Sequence, residues 1–391
     1  MLTSVHGAFD VRIYEKEARS LVVAGYEVTI VVPHARNEIA GGVTVRAIQP
    51  PRSRGKRMTR TIWQVYAEAL RVNASVYHFH DPELIPVGLL LKLLHGKRVV
   101  YDVHEDVPRD IMNKEWIVSV LRAPIARAAE GLEAAGACLF DAVVAATPTI
   151  AQRFPKKKTF AVHNFPHPDS FLESCTVAYQ NRLPLIVYVG GISTSRGGRE
   201  MVEAMDRLRI SLGARLQLAG AFETEDLRDE LSAQSGWERI DFLGWLSYKR
   251  VCSVINRCRI GLVILHSTPA FRESLPLKLF EYMSAGLPVV ASNFPCWREI
   301  VEDSSCGLLV NPLDPQAIAE AIQWLLDHPQ EAEEMGRRGA AAVRSKFNWS
   351  REEEKLLRLY AHLTNGRQSG FVGDQTMVTA DASAKTGNAG R

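Results

Sequence analysis

Two glutamates, Glu273 and Glu281, stand eight positions apart in the segment Phe271–Ala291, FRESLPLKLFEYMSAGLPVVA, and bracket the start of a short apolar helix. Ser274 suits the helix N-cap, Pro276 the first turn, where a missing N–H costs nothing, and Gly286 the C-terminal stop. The helix expected over about Leu277–Ala285 would aim its first free amides, at Leu277 and Lys278, off its N-terminus, and such an end attracts phosphate. Carboxylates beside a phosphate site can accept hydrogen bonds from sugar hydroxyls, so the group suits a nucleotide sugar. Taken alone, two glutamates at this spacing are as readily a solvated pair on a surface helix.

Three other segments carry candidate chemistry. The turn Tyr188-Val189-Gly190-Gly191-Ile192-Ser193-Thr194-Ser195-Arg196-Gly197-Gly198 follows an apolar run and opens helical text. Gly190 and Gly191 would admit a phosphate close to the backbone, and Arg196 would supply the counter-charge; without context, such a loop is an ordinary glycine turn. In Tyr101-Asp102-Val103-His104-Glu105-Asp106, His104 can donate to a developing charge or a sugar hydroxyl near neutral pH. Glu105 and Asp106 are candidates for acceptor hydroxyls or for helix caps. In Tyr77-His78-Phe79-His80-Asp81-Pro82, His78 and His80 share one strand face, which makes a metal site conceivable. His80 and Asp81 are assigned to the lining of a cleft, with Asp81 also suited to cap the helix that begins at Pro82.

These segments need elements to position them. Short β-branched runs alternate with amphipathic stretches along most of the chain, which implies parallel strands with helical crossovers. Strands are predicted over Leu2–Val5, Glu27–Val32, Val43–Ile48, Val76–Phe79, Arg98–Val103, Ala142–Ala146 and Thr159–Val162, with a helix over Val11–Ala24. A second series follows at Leu185–Val189, Arg215–Ala219, Ile240–Leu243, Ile260–Leu265, Pro288–Ala291 and Gly307–Val310. The predicted plan is a first domain over 1–166, a linker over 167–183 and a second domain over 184–346. Helical text at about 347–364 is expected to return to brace the first domain, and 365–391 reads as a disordered tail. Two doubly wound halves leave a cleft between the carboxyl ends of their sheets as the place for a ligand.

The Glu273–Glu281 segment resembles the E-x7-E signature of family 4 glycosyltransferases, and Val289-Val290-Ala291-Ser292 with Cys306-Gly307-Leu308-Leu309-Val310 resembles the next two strands of that family. The resemblance runs from about Leu2 to Leu363. It implies a GT-B fold, that is, two Rossmann-like α/β domains facing across a cleft. It also implies a UDP- or GDP-sugar donor held mainly by the second domain, and transfer with retention to a glycan or polyprenyl-linked acceptor in cell-surface polysaccharide assembly. By this likeness Glu273 contacts donor-sugar hydroxyls, Glu281 the ribose, and His104 the donor sugar; His104, Glu273 and Arg196 form the catalytic set. Gly190, Gly191, Leu277 and Lys278 join Arg196 at the diphosphate, Gly244-Trp245 holds the base, and His6-Gly7 forms a donor and acceptor loop, with His80, Asp81 and Glu105 also on the acceptor side. The chain departs from the family where Ser274-Leu275-Pro276 replaces a glycine-rich turn, and where Gly191 replaces an arginine. No Asp-x-Asp pair, the usual metal–diphosphate ligand of the other large glycosyltransferase fold, occurs in the chain, so the expectation is a metal-independent enzyme with no cofactor beyond its donor. A sugar-nucleotide epimerase or a phosphorylase-like enzyme would use the same cleft. Gly191 and Pro276 also leave open a partner subunit that keeps the fold without transfer.

The chain of 391 residues is 46% apolar and 23% charged, with 47 basic against 44 acidic side chains, a balance with no chain-wide field for nucleic acid. The basic strip Arg52, Arg54, Lys56, Arg57 and Arg60, followed by Trp63 and Tyr66, reads either as a solvated loop or as a peripheral contact with anionic lipid. The six cysteines show no CxxC and read as reduced, mostly buried thiols. With no leader-like or membrane-spanning run, the expected place is the cytoplasm, at the inner face of the plasma membrane if the basic strip binds lipid.

Overall fold

The computed structural model describes residues 1–113, 117–168, 171 and 177–364. Its strands are β1 (Thr29–Pro33), β2 (Glu38–Ala40), β3 (Val43–Ile48), β4 (Val76–Phe79), β5 (Arg98–Val103), β6 (Ala142–Ala145), β7 (Thr159–Ala161), β8 (Leu185–Val189), β9 (Arg215–Ala219), β10 (Ile240–Gly244), β11 (Ile260–Val263), β12 (Val289–Ser292) and β13 (Gly307–Val310). Parallel strands are covered by helices on both faces, which is why they read as unbroken apolar runs; every residue of β6, β11 and β12 is buried.

The second-domain sheet is wholly parallel, with order β10-β9-β8-β11-β12-β13. Its strand order reverses between β8 and β11, where a doubly wound sheet opens a crevice at its carboxyl edge. Apolar clusters cover both faces, one around Tyr188, Leu218 and Ile264, the other around Val263, Phe280 and Trp297.

In the first domain, β2-β3-β1 and β4-β5-β6-β7 are joined through Leu2, which bridges in parallel to Val31 and to Phe79. The order becomes β2-β3-β1-Leu2-β4-β5-β6-β7, with only the edge strand β2 antiparallel, and the reversal falls between Leu2 and β4. The strand predicted over Leu2–Val5 is thus reduced to a bridge, because the Ser4 amide turns out of the ladder to donate to Asp81 Oδ2 at 2.5 Å. The following helical segment, Val11–Val23, is capped by Asp10, whose carboxylate accepts from the amides of Arg12 and Ile13.

The helix Trp349–Thr364 packs Trp349, Leu356 and Leu359 into the first domain's core with Ile13, Leu21 and Val32. Trp349 Nε1 donates to Ser20 Oγ at 2.9 Å, and Tyr360 OH lies 2.9 Å from His78 Nδ1. Part of the 167–183 linker and all of 365–391 lie outside the described residues; Phe171, within the linker range, is buried in the second domain's core. Of the described cysteines, Cys252, Cys258 and Cys306 are buried, Cys296 is half-buried and Cys138 is exposed, all as free thiols. Among the described residues no helix is long and apolar enough to cross a membrane.

Candidate functional site

On the second domain, three neighbouring strands, β8, β9 and β10, each end at a glycine with positive φ: Gly190 at 134°, Gly220 at 145° and Gly244 at 63°. The conformation and the space both demand glycine. A Cβ on Gly220 would lie 1.9 Å from the Gly190 carbonyl oxygen, and one on Gly190 would lie 2.9 Å from Lys278 Nζ. The Lys278 ammonium sits 3.7 Å from the centre of the Tyr188 ring, is buried, and has no hydrogen-bond partner among the described residues. Burial above all, with the nearby Arg196 guanidinium, pushes its pKa well below the ordinary lysine range, against the pull of Glu281. Arg196 lies over the Phe271 ring, 5.5 Å from its centre. The carboxyl edge at β8 therefore offers a glycine-floored recess with one buried, unpaired cation and a second close by.

Lys278 is held there by the helix Leu277–Ser284, which starts where expected but has its cap at Pro276, two residues after Ser274. Pro276 occupies the cap, and the extended backbone there separates Ser274 from the helix. The Ser274 hydroxyl instead donates to the Phe271 carbonyl at 2.9 Å, and its own carbonyl accepts from Trp297 Nε1 at 2.7 Å. The cap expected at Ser274 is therefore replaced by a separate turn, Pro269–Arg272, capped by Thr268. Glu281 is buried on this helix; burial raises its pKa, and Lys16 of the first domain and Lys278 oppose that rise. Glu273 is half-exposed and accepts from Arg109 Nη1 of the first domain at 2.5 Å. Trp245 is largely exposed.

His266, three residues beyond β11, ties the Arg196 turn to the sheet. Its amide donates to the Ser195 carbonyl at 2.8 Å, and its ring Nε2 lies 2.9 Å from Glu200 Oε1. Sequence reasoning passed over His266 and Gly220, although a position directly after a strand was the available signal. It also passed over Arg109, Lys16 and Arg12, which sit in helical text and have partners far away in the chain.

On the first domain, the reversal point is filled by side chains. Asp81 Oδ2 accepts from Thr3 Oγ1 at 2.7 Å and from the Ser4 amide, and Asp81 Oδ1 lies 3.0 Å from His6 Nδ1. Burial would raise the Asp81 carboxyl, but His6 and these donors bring it down to about 2. Burial likewise works against the His6 imidazolium, and Asp81 overcomes it to raise that pKa. His6 Nε2 and His104 Nε2 are 3.2 Å apart, one donating to the other. Burial pushes His104 down, aided by Arg12 and His6 and opposed by Asp102, so a proton on this pair rests on His6.

His80 and Asp81, expected to line the cleft, are instead buried beneath His6 and His104. Asp81 stands at the N-cap of the turn Pro82–Leu84, as expected, but its side chain makes no capping bond because its oxygens are spent on the Thr3–His6 turn. His80 Nδ1 meets Asp102 Oδ2 at 2.9 Å, and Arg12 grips Asp102 through two bonds of 2.8 Å. His78 and His80 do share a strand face, with rings stacked 4.8 Å apart, and ligand atoms of Glu17, His78, His80 and Asp102 all lie within 4.8 Å of one another. The Arg12 guanidinium, 3.1 Å from Glu17 and bonded to Asp102, is the cation of that pocket. Gly7 and Glu105 are exposed at the rim.

Residues 12–164 match a family model described as Glycosyltransferase Family 4, and residues 178–342 match one described as Glycosyl transferases group 1. The chain belongs to the family 4 glycosyltransferases. This family 4 chain is 27% identical over 183 residues to the alpha-D-kanosaminyltransferase of Streptomyces kanamyceticus, covering 46% of each chain. It spans about half the length of the curated relatives it matches. Among solved structures, the sucrose-phosphate synthase of Thermosynechococcus elongatus superposes with a TM-score of 0.72 at 20% identity, covering 92% of this chain and 94% of that one. Anabaena HepE in complex with UDP-glucose superposes with a TM-score of 0.66 at 14% identity, covering 85% and 91%. The fold is GT-B, as its two doubly wound sheets and these neighbours show.

Proposed function

We propose that the protein is a retaining glycosyltransferase that moves a sugar from a UDP- or GDP-sugar to a glycan or polyprenyl-linked acceptor in cell-surface polysaccharide assembly. The observation that carries this reading is the buried, unpaired Lys278 ammonium above the glycine ends of β8 and β9, since an unpaired buried cation is costly unless an anion completes it. The donor diphosphate completes it, with Arg196 and the amides at Leu277 and Lys278 beside it. HepE, solved with UDP-glucose on the same fold, supports a nucleotide-sugar donor.

In this reading the bond from the anomeric carbon to the diphosphate oxygen breaks as the acceptor oxygen bonds on the same face. The acceptor proton passes to the departing phosphate oxygen. Lys278 and Arg196 stabilise the charge that develops there, so these two side chains perform the task a metal would otherwise serve. Glu273 accepts from donor-sugar hydroxyls, Glu281 from the ribose, and His104 faces the sugar from the first domain. Gly244 and Trp245 lie at the base, and the acceptor enters past His6, Gly7 and Glu105.

The first domain also suits an anionic bilayer at the inner face of the plasma membrane. An apolar groove of about 360 Å³, lined by Ile62, Trp63, Tyr66, Leu90, Leu93 and Leu94, lies in the helices directly after the exposed cations Arg52, Lys56 and Arg60. The reading as a whole is tested by titrating the purified protein with UDP, GDP and their sugars, then fixing the anomeric configuration of the product by NMR. Donor binding and a retained configuration are expected, with activity reduced but still measurable in Glu273→Ala and lost in Arg196→Ala. Silence with every donor would favour a partner subunit, and turnover of donor without acceptor an epimerase.

A further inference from the structure

The Glu273 carboxylate is held by a row of alternating charges that begins in the core of the other domain. Tyr101 OH donates to Glu133 Oε1 at 2.8 Å, and Arg153 Nη2 meets Glu133 Oε2 at 2.5 Å. Arg153 Nη1 donates to Asp106 Oδ1 at 3.0 Å, and Asp106 Oδ2 lies 3.5 Å from Arg109 Nε. Arg109 Nη1 then donates to Glu273 Oε2 at 2.5 Å, across the interdomain cleft. Side-chain exposure runs from 1% at Glu133 to 45% at Glu273, so the row is anchored in the first domain and delivers a single guanidinium at its open end. The other Glu273 oxygen, Oε1, accepts no hydrogen bond among the described residues.

An exposed ion pair normally contributes little, because two long side chains must be frozen together. Here Asp106, itself fixed by Arg153, orients the planar fork of Arg109 before Glu273 arrives, so less freedom is lost on pairing. A carboxylate fixed through one oxygen presents the other in a set direction. Because the fixing group belongs to the acceptor domain, the presentation depends on the two domains meeting.

We propose that Arg109 is a positioning residue for the donor sugar: it holds Glu273 by Oε2 so that Oε1 accepts from a sugar hydroxyl, and thereby makes donor capture sensitive to closure of the cleft. This inference rests on the reading in which Glu273 contacts the donor sugar. Arg109 itself touches no substrate in this scheme.

The test uses the full chain with UDP-glucose and GDP-mannose as donor probes, and UDP and GDP as probes that lack the sugar. Arg109→Ala is expected to raise the donor KM about five- to tenfold with kcat nearly unchanged, the effect of losing one charge-assisted hydrogen bond on a positioning group. Binding of the bare nucleotide and the melting temperature should stay at wild-type values, and Arg109→Lys should recover part of the loss. In the Glu273→Ala background the Arg109→Ala change should add nothing. The inference is overturned if Arg109→Ala leaves the donor KM unchanged, if it weakens bare nucleotide equally, or if its effect persists without Glu273. A wild-type protein that binds no sugar nucleotide would instead sink the glycosyl-transfer reading and this inference with it, so the two failures are told apart by the wild-type titration alone.

Discussion

The two domains share one strand plan and treat its reversal point in opposite ways. In the first domain the point between Leu2 and β4 is packed with side chains: Asp81, His6 and His104 bond to one another, and Arg12 closes on Asp102 beneath them. In the second domain the point between β8 and β11 is floored by glycine, and Lys278 is left buried over the Tyr188 ring with no hydrogen-bond partner among the described residues. The same topology thus pairs charges in one half, Arg12 with Asp102 and His6 with Asp81, although buried atoms of Glu17, His78, His80 and His104 there lack hydrogen bonds; in the other half it leaves a buried ammonium with neither ion pair nor hydrogen bond among the described residues. A buried charge held by a counter-charge costs the fold little, whereas one without a counter-charge is costly unless something outside the chain supplies it.

The largest effect that would sharpen this contrast is expected at Lys278. Lys278→Met should lower kcat/KM about 10²- to 10³-fold if the ammonium stabilises a leaving diphosphate. The melting temperature should hold or rise, since a buried polar nitrogen with no hydrogen-bond partner among the described residues is removed. A loss of stability together with activity would show that Lys278 belongs to the fold and would erase the difference between the halves.

Next in size, Asp81→Asn should destabilise the protein by about 1–3 kcal/mol in urea denaturation, because one uncharged acceptor oxygen replaces the two that His6 and the Thr3–Ser4 turn share. Nucleotide affinity, measured by calorimetry, should not change. The sign with pH follows from the depressed carboxyl. Its contribution is present above the ordinary value of 3.8 and is lost as pH falls through about 2, so the acid limb of the wild-type stability curve should flatten in the variant.

His6 has the opposite sign. Its folded pKa is raised above 6.5, so its contribution is present below that value and is lost as pH rises through the folded value. The His6 ring resonances should titrate above 6.5 in the wild type and move down in Asp81→Asn; an unchanged midpoint would break the link between the two residues. The smallest effect is expected at the exposed Trp245, where replacement by alanine should alter stability by less than about 0.5 kcal/mol and weaken nucleotide binding a few-fold if the ring meets the base.

Much of the architecture was readable along the chain. β6, β11 and β12 carry apolar residues on both faces, and a parallel strand buried on both sides leaves that signature whatever its neighbours are. The Leu2–Val5 strand failed because four apolar and hydroxyl residues look extended, while the pull on Thr3 and Ser4 comes from Asp81, some 77 positions away. The helix start at Leu277 was legible, but Ser274 failed as its cap, because the extended Pro276 takes that position and the Ser274 hydroxyl bonds back to Phe271. His80 and Asp81 occupy the strand end where they were expected, but their depth below the cleft depends on what packs over them.

Residue type and spacing alone determined the repeated strand–helix alternation, the glycine turn after β8 and the Glu273–Glu281 pair, because these are local patterns within one element or one turn. Only the tertiary structure decided which charges would find partners. Arg109 meets Glu273 across 164 positions and Arg12 meets Asp102 across 90, while Lys278, in the same helix as Glu281, meets no hydrogen-bonding group among the described residues. A side chain's charge is written in the sequence, but its burial and its counter-charge are set by elements that approach only when both sheets are complete.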